Sequence, residues 1–171
     1  MNNRENILVA FEATTAASPL FARFRSLPVC QELGSRESMM LFSCFEQRQI
    51  EAGTTIYESN TASNNEMYLI VEGEVSVSSR SQDIYTRLRA GDVFGLFSFL
   101  DEDRLHSATV KATTELTVLT INREYFDMIT LEDPALGQQV LRFMFRLLSR
   151  MALKMESEYA AMHEFAMARR S

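Results

Sequence analysis

Between Gln49 and Ile121 the apolar residues recur in short runs, several of them strictly alternating, and glycine stands at most of the breaks between runs. A period of two sends successive side chains to opposite faces of an extended backbone. Ile56 sits between Thr55 and Tyr57, Met67–Val71 is a continuous apolar run, and Val75 and Val77 alternate with Glu74, Ser76 and Ser78. Further strands are predicted over Ile84–Leu88, Ser107–Ala112 and Leu116–Ile121. The breaks are turn-forming pairs: Ala52-Gly53, Ser59-Asn60, Glu72-Gly73 and Ala90-Gly91-Asp92. Many short strands with glycine at the corners predict a mainly β fold, an antiparallel double-stranded β-helix of the jelly-roll or β-roll kind, and argue against alternating α/β units.

Helical periods flank this segment. Ser18 and Pro19 have the residue types of a helix cap and first position, ahead of Leu20, Phe21 and Phe24. Leu27-Pro28 ends that helix, and Ser35 to Phe45 reads as a second amphipathic one. Beyond Ile121, Asn122 caps a short helix holding Tyr125, Phe126 and Ile129, and Asp133-Pro134 opens a long one. The expected division is 1–46 helical, 47–121 β-roll and 122–171 C-terminal helices. On the long helix Val140, Met144, Leu147, Met151 and Met155 form one stripe, beside a second of Leu141, Phe145, Leu148 and Ala152. An apolar arc that wide exceeds what one core requires. Nothing later in the sequence covers it, so the first stripe is expected to pair two copies as a homodimer.

Composition narrows the rest. With 171 residues, 46% of them hydrophobic, the chain suits one ordinary domain. A net charge of -6 disfavours a nucleic-acid surface, which needs concentrated positive charge. The basic pair Arg169-Arg170 reads as a solvated tail. Cys30 and Cys44 lie among apolar neighbours and read as small buried hydrophobes. The patch Ile7–Val9, bracketed by Glu5 and Glu12, is too short and too acidic for a secretion signal, and no run is apolar enough for membrane insertion. A cytoplasmic protein is expected.

Three glycine-bearing segments, in order, resemble the sensor domain of the catabolite-activator/FNR family and of cyclic-nucleotide-gated proteins. Ile50–Tyr57 is similar to that family's first strand pair, Met67–Val75 to its hairpin, and Ala90–Gly95 to the start of its phosphate-binding cassette. The resemblance covers Pro19 to about Tyr159. It implies a cassette reading Phe-Gly-Glu, a short helix, then Arg-Ser/Thr-Ala, in which helix amides and Arg hold a cyclic phosphate and Glu accepts from the ribose hydroxyl. Here the segments are Phe94-Gly95-Leu96-Phe97-Ser98-Phe99-Leu100 and His106-Ser107-Ala108. The resemblance therefore places Leu96 where the acid belongs and His106 where the arginine belongs, with no gap. Leu96 accepts no hydrogen bond, and an imidazole with an ordinary pKa of about 6.5 lacks both permanent charge and the guanidinium fork. Arg104, two residues before His106, would share its face on a strand and replace that contact; the preferred reading is a solvated loop arginine following Asp101-Glu102-Asp103. Leu96, Phe97 and Phe99 have the bulk to fill the pocket.

The candidate ligand site is thus Gly95, Leu96, Phe97, Ser98, Arg104, His106, Ser107 and Ala108, with no cofactor expected and ordinary cyclic nucleotide binding disfavoured. Two functions compete. One is a regulatory protein with a degenerate pocket, acting through its helices on an unidentified protein partner. The alternative is a sensor that binds a cyclic nucleotide or another small anion and moves its terminal helix. An open cavity favours the second, and one plugged by aromatic rings the first. DNA binding is not expected, because too few residues follow the long helix for a winged helix-turn-helix. Two cysteines cannot ligate an iron–sulfur cluster, a haem would rest on His106 or His163 alone, and the isolated Glu46, Asp92 and Asp103 offer no catalytic constellation. No metal site and no enzyme activity are expected.

Overall fold

A proline that follows a serine can take the first helical position, because its missing N–H was never going to be bonded. A computed structural model describes residues 15–79, 83–101 and 104–168, and its first described helix, α1 (Pro19–Ser26), starts in this way, with the Phe21 N–H donating to Ser18 Oγ at 3.4 Å. Ile7–Val9, Glu102, Asp103 and Arg169-Arg170 lie outside the described residues. A 3₁₀ turn (Pro28–Cys30) and α2 (Ser35–Ser43) follow.

The strands are β1 (Glu46–Ile50), β2 (Thr55–Tyr57), β3 (Glu66–Glu72), β4 (Glu74–Ser78), β5 (Ile84–Arg89), β6 (Val93–Phe94), β7 (Thr109–Ala112) and β8 (Leu116–Asn122), with α3 (Leu96–Leu100) between β6 and β7. They form two four-stranded antiparallel sheets, ordered β1-β8-β3-β6 and β2-β7-β4-β5. This is the expected β-roll. Gly53, Gly73, Gly91 and Gly95 all have positive φ, the conformation the corners require.

Alternation on β3 and β8 divides the core. Tyr68, Ile70, Leu116 and Val118 face the space between the sheets with Val75, Val77, Phe94 and Val110. Met67, Leu69, Val71, Leu119 and Ile121 face the helices. There the Phe24 ring lies 5.5 Å from Phe42 and 6.0 Å from Phe143, and Phe45 lies 6.1 Å from Phe143.

Two capped helices close the chain. In α4 (Arg123–Glu132) the Tyr125 N–H donates to Asn122 Oδ1 at 2.7 Å. In α5 (Pro134–Ala168) the Leu136 N–H donates to Asp133 Oδ1 at 3.0 Å. One expectation fails on α5. Val140, Met144 and Leu147, assigned from helical spacing to a partner, are buried in the chain's own core. The cover comes from earlier segments, the 3₁₀ turn, α2 and α4. Met151 is half-buried, and of that stripe Met155 alone is exposed.

Candidate functional site

Gly95 sets the geometry of the cassette. It ends β6 and caps α3 at φ +75°, and a Cβ there would run into the carbonyl oxygen of Glu66. A left-handed residue crowded by backbone leaves no room for a side chain. The turn sends Leu96 inward, where it is buried, and leaves Phe97 at the rim, 50% exposed.

The loop ahead of β7 brings in His106. Its N–H donates to the Thr61 carbonyl at 3.0 Å, and its carbonyl accepts from the Asn60 N–H at 2.7 Å. The ring stacks on Tyr57 with centroids 3.8 Å apart and planes 6° from parallel. Burial pushes the Tyr57 phenol up. On the far edge of the imidazole, Nδ1 lies 3.2 Å from Ser98 Oγ. Nε2 is buried and has no partner among the described residues.

Burial holds the His106 pKa below its ordinary value. The folded state therefore carries a neutral ring where the family carries a permanent cation. In the unfolded chain that histidine regains a pKa near 6.5. Below that pH the unfolded state binds more protons than the folded one, so its contribution to stability is present above about pH 6.5 and is lost on acidification, by up to about 1.4 kcal/mol per pH unit. Urea unfolding at pH 7.5 and pH 5.5 should show this loss, and His106→Gln should flatten it. Equal stability of the native sequence at both pH values would contradict a neutral buried imidazole.

Arg104 is the exposed loop arginine of the preferred reading and not a replacement for the missing contact. It does not share a strand face with His106: residues 104–106 form a loop, begun by the Arg104 N–H donating to the Asp101 carbonyl at 3.1 Å. His106 is buried and Arg104 exposed, with its guanidinium 5.9 Å from the centre of the Phe97 ring. Phe99 does not fill the pocket either. It packs in the helical half of the core, 5.7 Å from Phe126.

What remains is an open cavity of about 690 Å³, within the range of small-molecule sites. Gly95, Leu96, Phe97, Ser98, Arg104, His106, Ser107 and Ala108 all line it. Two contributions were not anticipated from sequence. Val77, Leu88 and Val110 give it an apolar inner wall, and α5 supplies Leu147, Arg150, Met151, Lys154, Met155 and Glu158. The Lys154 ammonium reaches Asp92 at 3.2 Å, an ion pair joining the long helix to the turn before β6. The apolar character of Val77 and Val110 was visible, but nothing local marked which strand face would enclose a space. Among the described residues no three His, Cys, Asp or Glu side chains converge as a metal site, and no helix is long and apolar enough to cross a membrane.

Fold and cassette together are those of a cyclic nucleotide-binding type of domain. Residues 47–133, just over half of the chain, match the family model of the cyclic nucleotide-binding domain, and the chain belongs to that family. It is 32% identical over 105 residues, 61% of its length, to the cAMP-dependent protein kinase regulatory subunit of Eremothecium gossypii. The chain spans less than a third of the curated relatives it matches: 22% of that subunit, 31% of a cyclic nucleotide-gated potassium channel of Rhizobium etli. A solved cyclic nucleotide-binding domain from Methylobacillus flagellatus superposes with a TM-score of 0.66 at 17% identity, covering 84% of this chain and 80% of that one. The regulatory subunit of a cAMP-independent protein kinase A from Trypanosoma brucei gives 0.63 at 21% identity, covering 91% and 50%.

Proposed function

We propose that the chain is a regulatory module whose β-roll cavity senses a small molecule other than a cyclic nucleotide and whose long helix passes the occupied state to a protein partner. The observation that carries this reading is the shared wall: Arg150, Met151, Lys154 and Met155 of α5 line the same cavity as the cassette. A ligand touching both has differential contact with two positions of the helix, which is what a shift of populations requires.

Cyclic nucleotides are disfavoured on physical grounds. Leu96 accepts nothing from a ribose hydroxyl, and neutral His106 replaces a charged fork; each such loss costs on the order of 1–3 kcal/mol. Calorimetry with cyclic AMP and cyclic GMP should show no binding tighter than about 100 μM. A dissociation constant near or below micromolar would overturn the reading of the cassette. Coupling is tested without any ligand. Leu88→Trp fills the cavity from β5, and amide exchange across 147–165 should quicken several-fold as Met151 and Lys154 are displaced. Unchanged exchange would sink the sensing role.

The helix also bears the surface for a second copy. Leu141, Phe145, Leu148, Ala152, Met155, Tyr159 and Met162 recur at alternating steps of four and three, the spacing of a coiled-coil seam. Phe145 is 61%, Tyr159 72% and Met162 71% exposed in the single chain. Self-pairing along this seam is the proposed assembly, and Met155 belongs both to it and to the cavity wall. Cys30 and Cys44 are buried free thiols, the state a reducing cytoplasm maintains.

A further inference from the structure

We propose that the cavity takes a hydrophobic organic anion: an apolar or aromatic body bearing one uncharged hydrogen-bond acceptor, which meets His106, and one negative group, which meets Arg150. This rests on the reading of the cavity as a ligand site and names the chemistry of its occupant.

The body is set by the walls. Tyr57, Tyr85, Thr86 and Ser107 bring hydroxyl groups to other parts of the lining, but Val77, Leu88, Phe94, Leu96 and Val110 offer no hydrogen bond through their side chains to a buried ligand. A sugar or other polyol would leave its hydroxyls unpaired against them. A ring or short chain loses nothing there and gains from leaving water.

The acceptor is set by a proton that has one place to go. Ser98 is 5% exposed, and among the described residues its hydroxyl has the Nδ1 of His106 as its sole partner. If Nδ1 carried the proton, the buried serine hydroxyl would have no acceptor for its own. Ser98 therefore donates to Nδ1, and the neutral ring keeps its proton on Nε2. That N–H is buried without a partner on a residue of the cavity wall. A carbonyl or sulfonyl oxygen of a ligand that shifts the packing over it would supply the acceptor it lacks.

The single negative charge is set at the mouth. Arg104, Arg150 and Lys154 line the cavity against two carboxylates, Asp92 and Glu158. Lys154 is held by Asp92, and Arg104 lies over Phe97. Arg150 pairs with no carboxylate among the described residues. One cation in excess, in a chain of net charge -6, suits a monoanion and repels polyanions approaching from solution.

Dansylglycine carries all three features, a naphthalene body, sulfonyl oxygens and a carboxylate; dansylamide has the first two without the carboxylate. Fluorescence titration of the full chain should give one saturable dansylglycine site per chain, with Kd below about 50 μM. Arg150→Gln should weaken dansylglycine by about fivefold or more and leave dansylamide within twofold. His106→Phe, which keeps the stack on Tyr57, should weaken both dyes. Leu88→Trp should abolish both; Thr86→Phe, on the same strand and wall, serves if that variant does not fold. No saturable binding up to about 1 mM overturns the proposal. So does dansylglycine binding that survives both cavity-filling variants, because the dye then sits on the exposed helix. Equal losses for the two dyes in Arg150→Gln overturn the anion. The sensing role fails separately. If the dye binds as described but amide exchange of α5 ignores Leu88→Trp, the ligand class stands without signalling; if exchange responds and no dye binds, signalling stands and this ligand class falls.

Discussion

A chain carrying Phe145→Glu together with Met155→Glu is expected to sediment as a monomer at about 10 μM, where the unaltered chain sediments as a dimer. Both side chains are 61% exposed in the single chain and lie ten residues apart on one seam. Pairing two such helices would bury four carboxylates without partners. Each unpaired buried charge costs several kcal/mol, so dimerisation should weaken by a factor on the order of a thousand or more. The fold itself should be untouched, with helix content and melting of the monomer unaltered, because neither residue contributes to the core. A monomeric unaltered chain at that concentration, or a dimeric variant, would leave the apolar seam to a different partner.

Two residues away the opposite outcome is expected. Phe143 is 1% exposed and wedged between Phe24 and Phe45, where it fastens α5 to α1 and to the end of α2. Phe143→Ala removes a ring from a packed aromatic cluster and leaves a cavity, at a cost of about 3–5 kcal/mol. For a chain of this length the melting temperature should fall by about 10 °C or more. Scanning calorimetry measures it directly. A loss under about 1 kcal/mol would mean that the long helix is held by something other than this cluster.

Local chemistry was legible in the sequence wherever one residue type has one physical use. Ser18, Asn122 and Asp133 cap helices as their side chains allow, and the corner glycines adopt the positive φ that other residues avoid. The cassette was legible as an ordered set of segments around Gly95. Which side of α5 faces home was not. Val140 and Leu141 are equally apolar and 100° apart on the helix, and the choice between them is made by Phe24, Cys30 and Leu41, about a hundred residues earlier. The tautomer of His106 was hidden for a similar reason, because it depends on Ser98 having no other acceptor nearby. Arg104 was legible as a loop arginine after Asp101-Glu102-Asp103, and only the alternative that set it on the face of His106 carried strand alternation into a loop.

Strand β3 is sandwiched between two interiors, Met67, Leu69 and Val71 reporting to the helices and Tyr68 and Ile70 to the space between the sheets. With β8 alongside, it acts as a septum with no solvated face. A slip of one residue in its pairing would send every side chain into the wrong compartment. The two compartments therefore share one wall, and a change in its pairing would disturb both at once. Any signal leaving the cavity must travel around the septum, by way of the cassette and the long helix, because the septum itself has only one arrangement available.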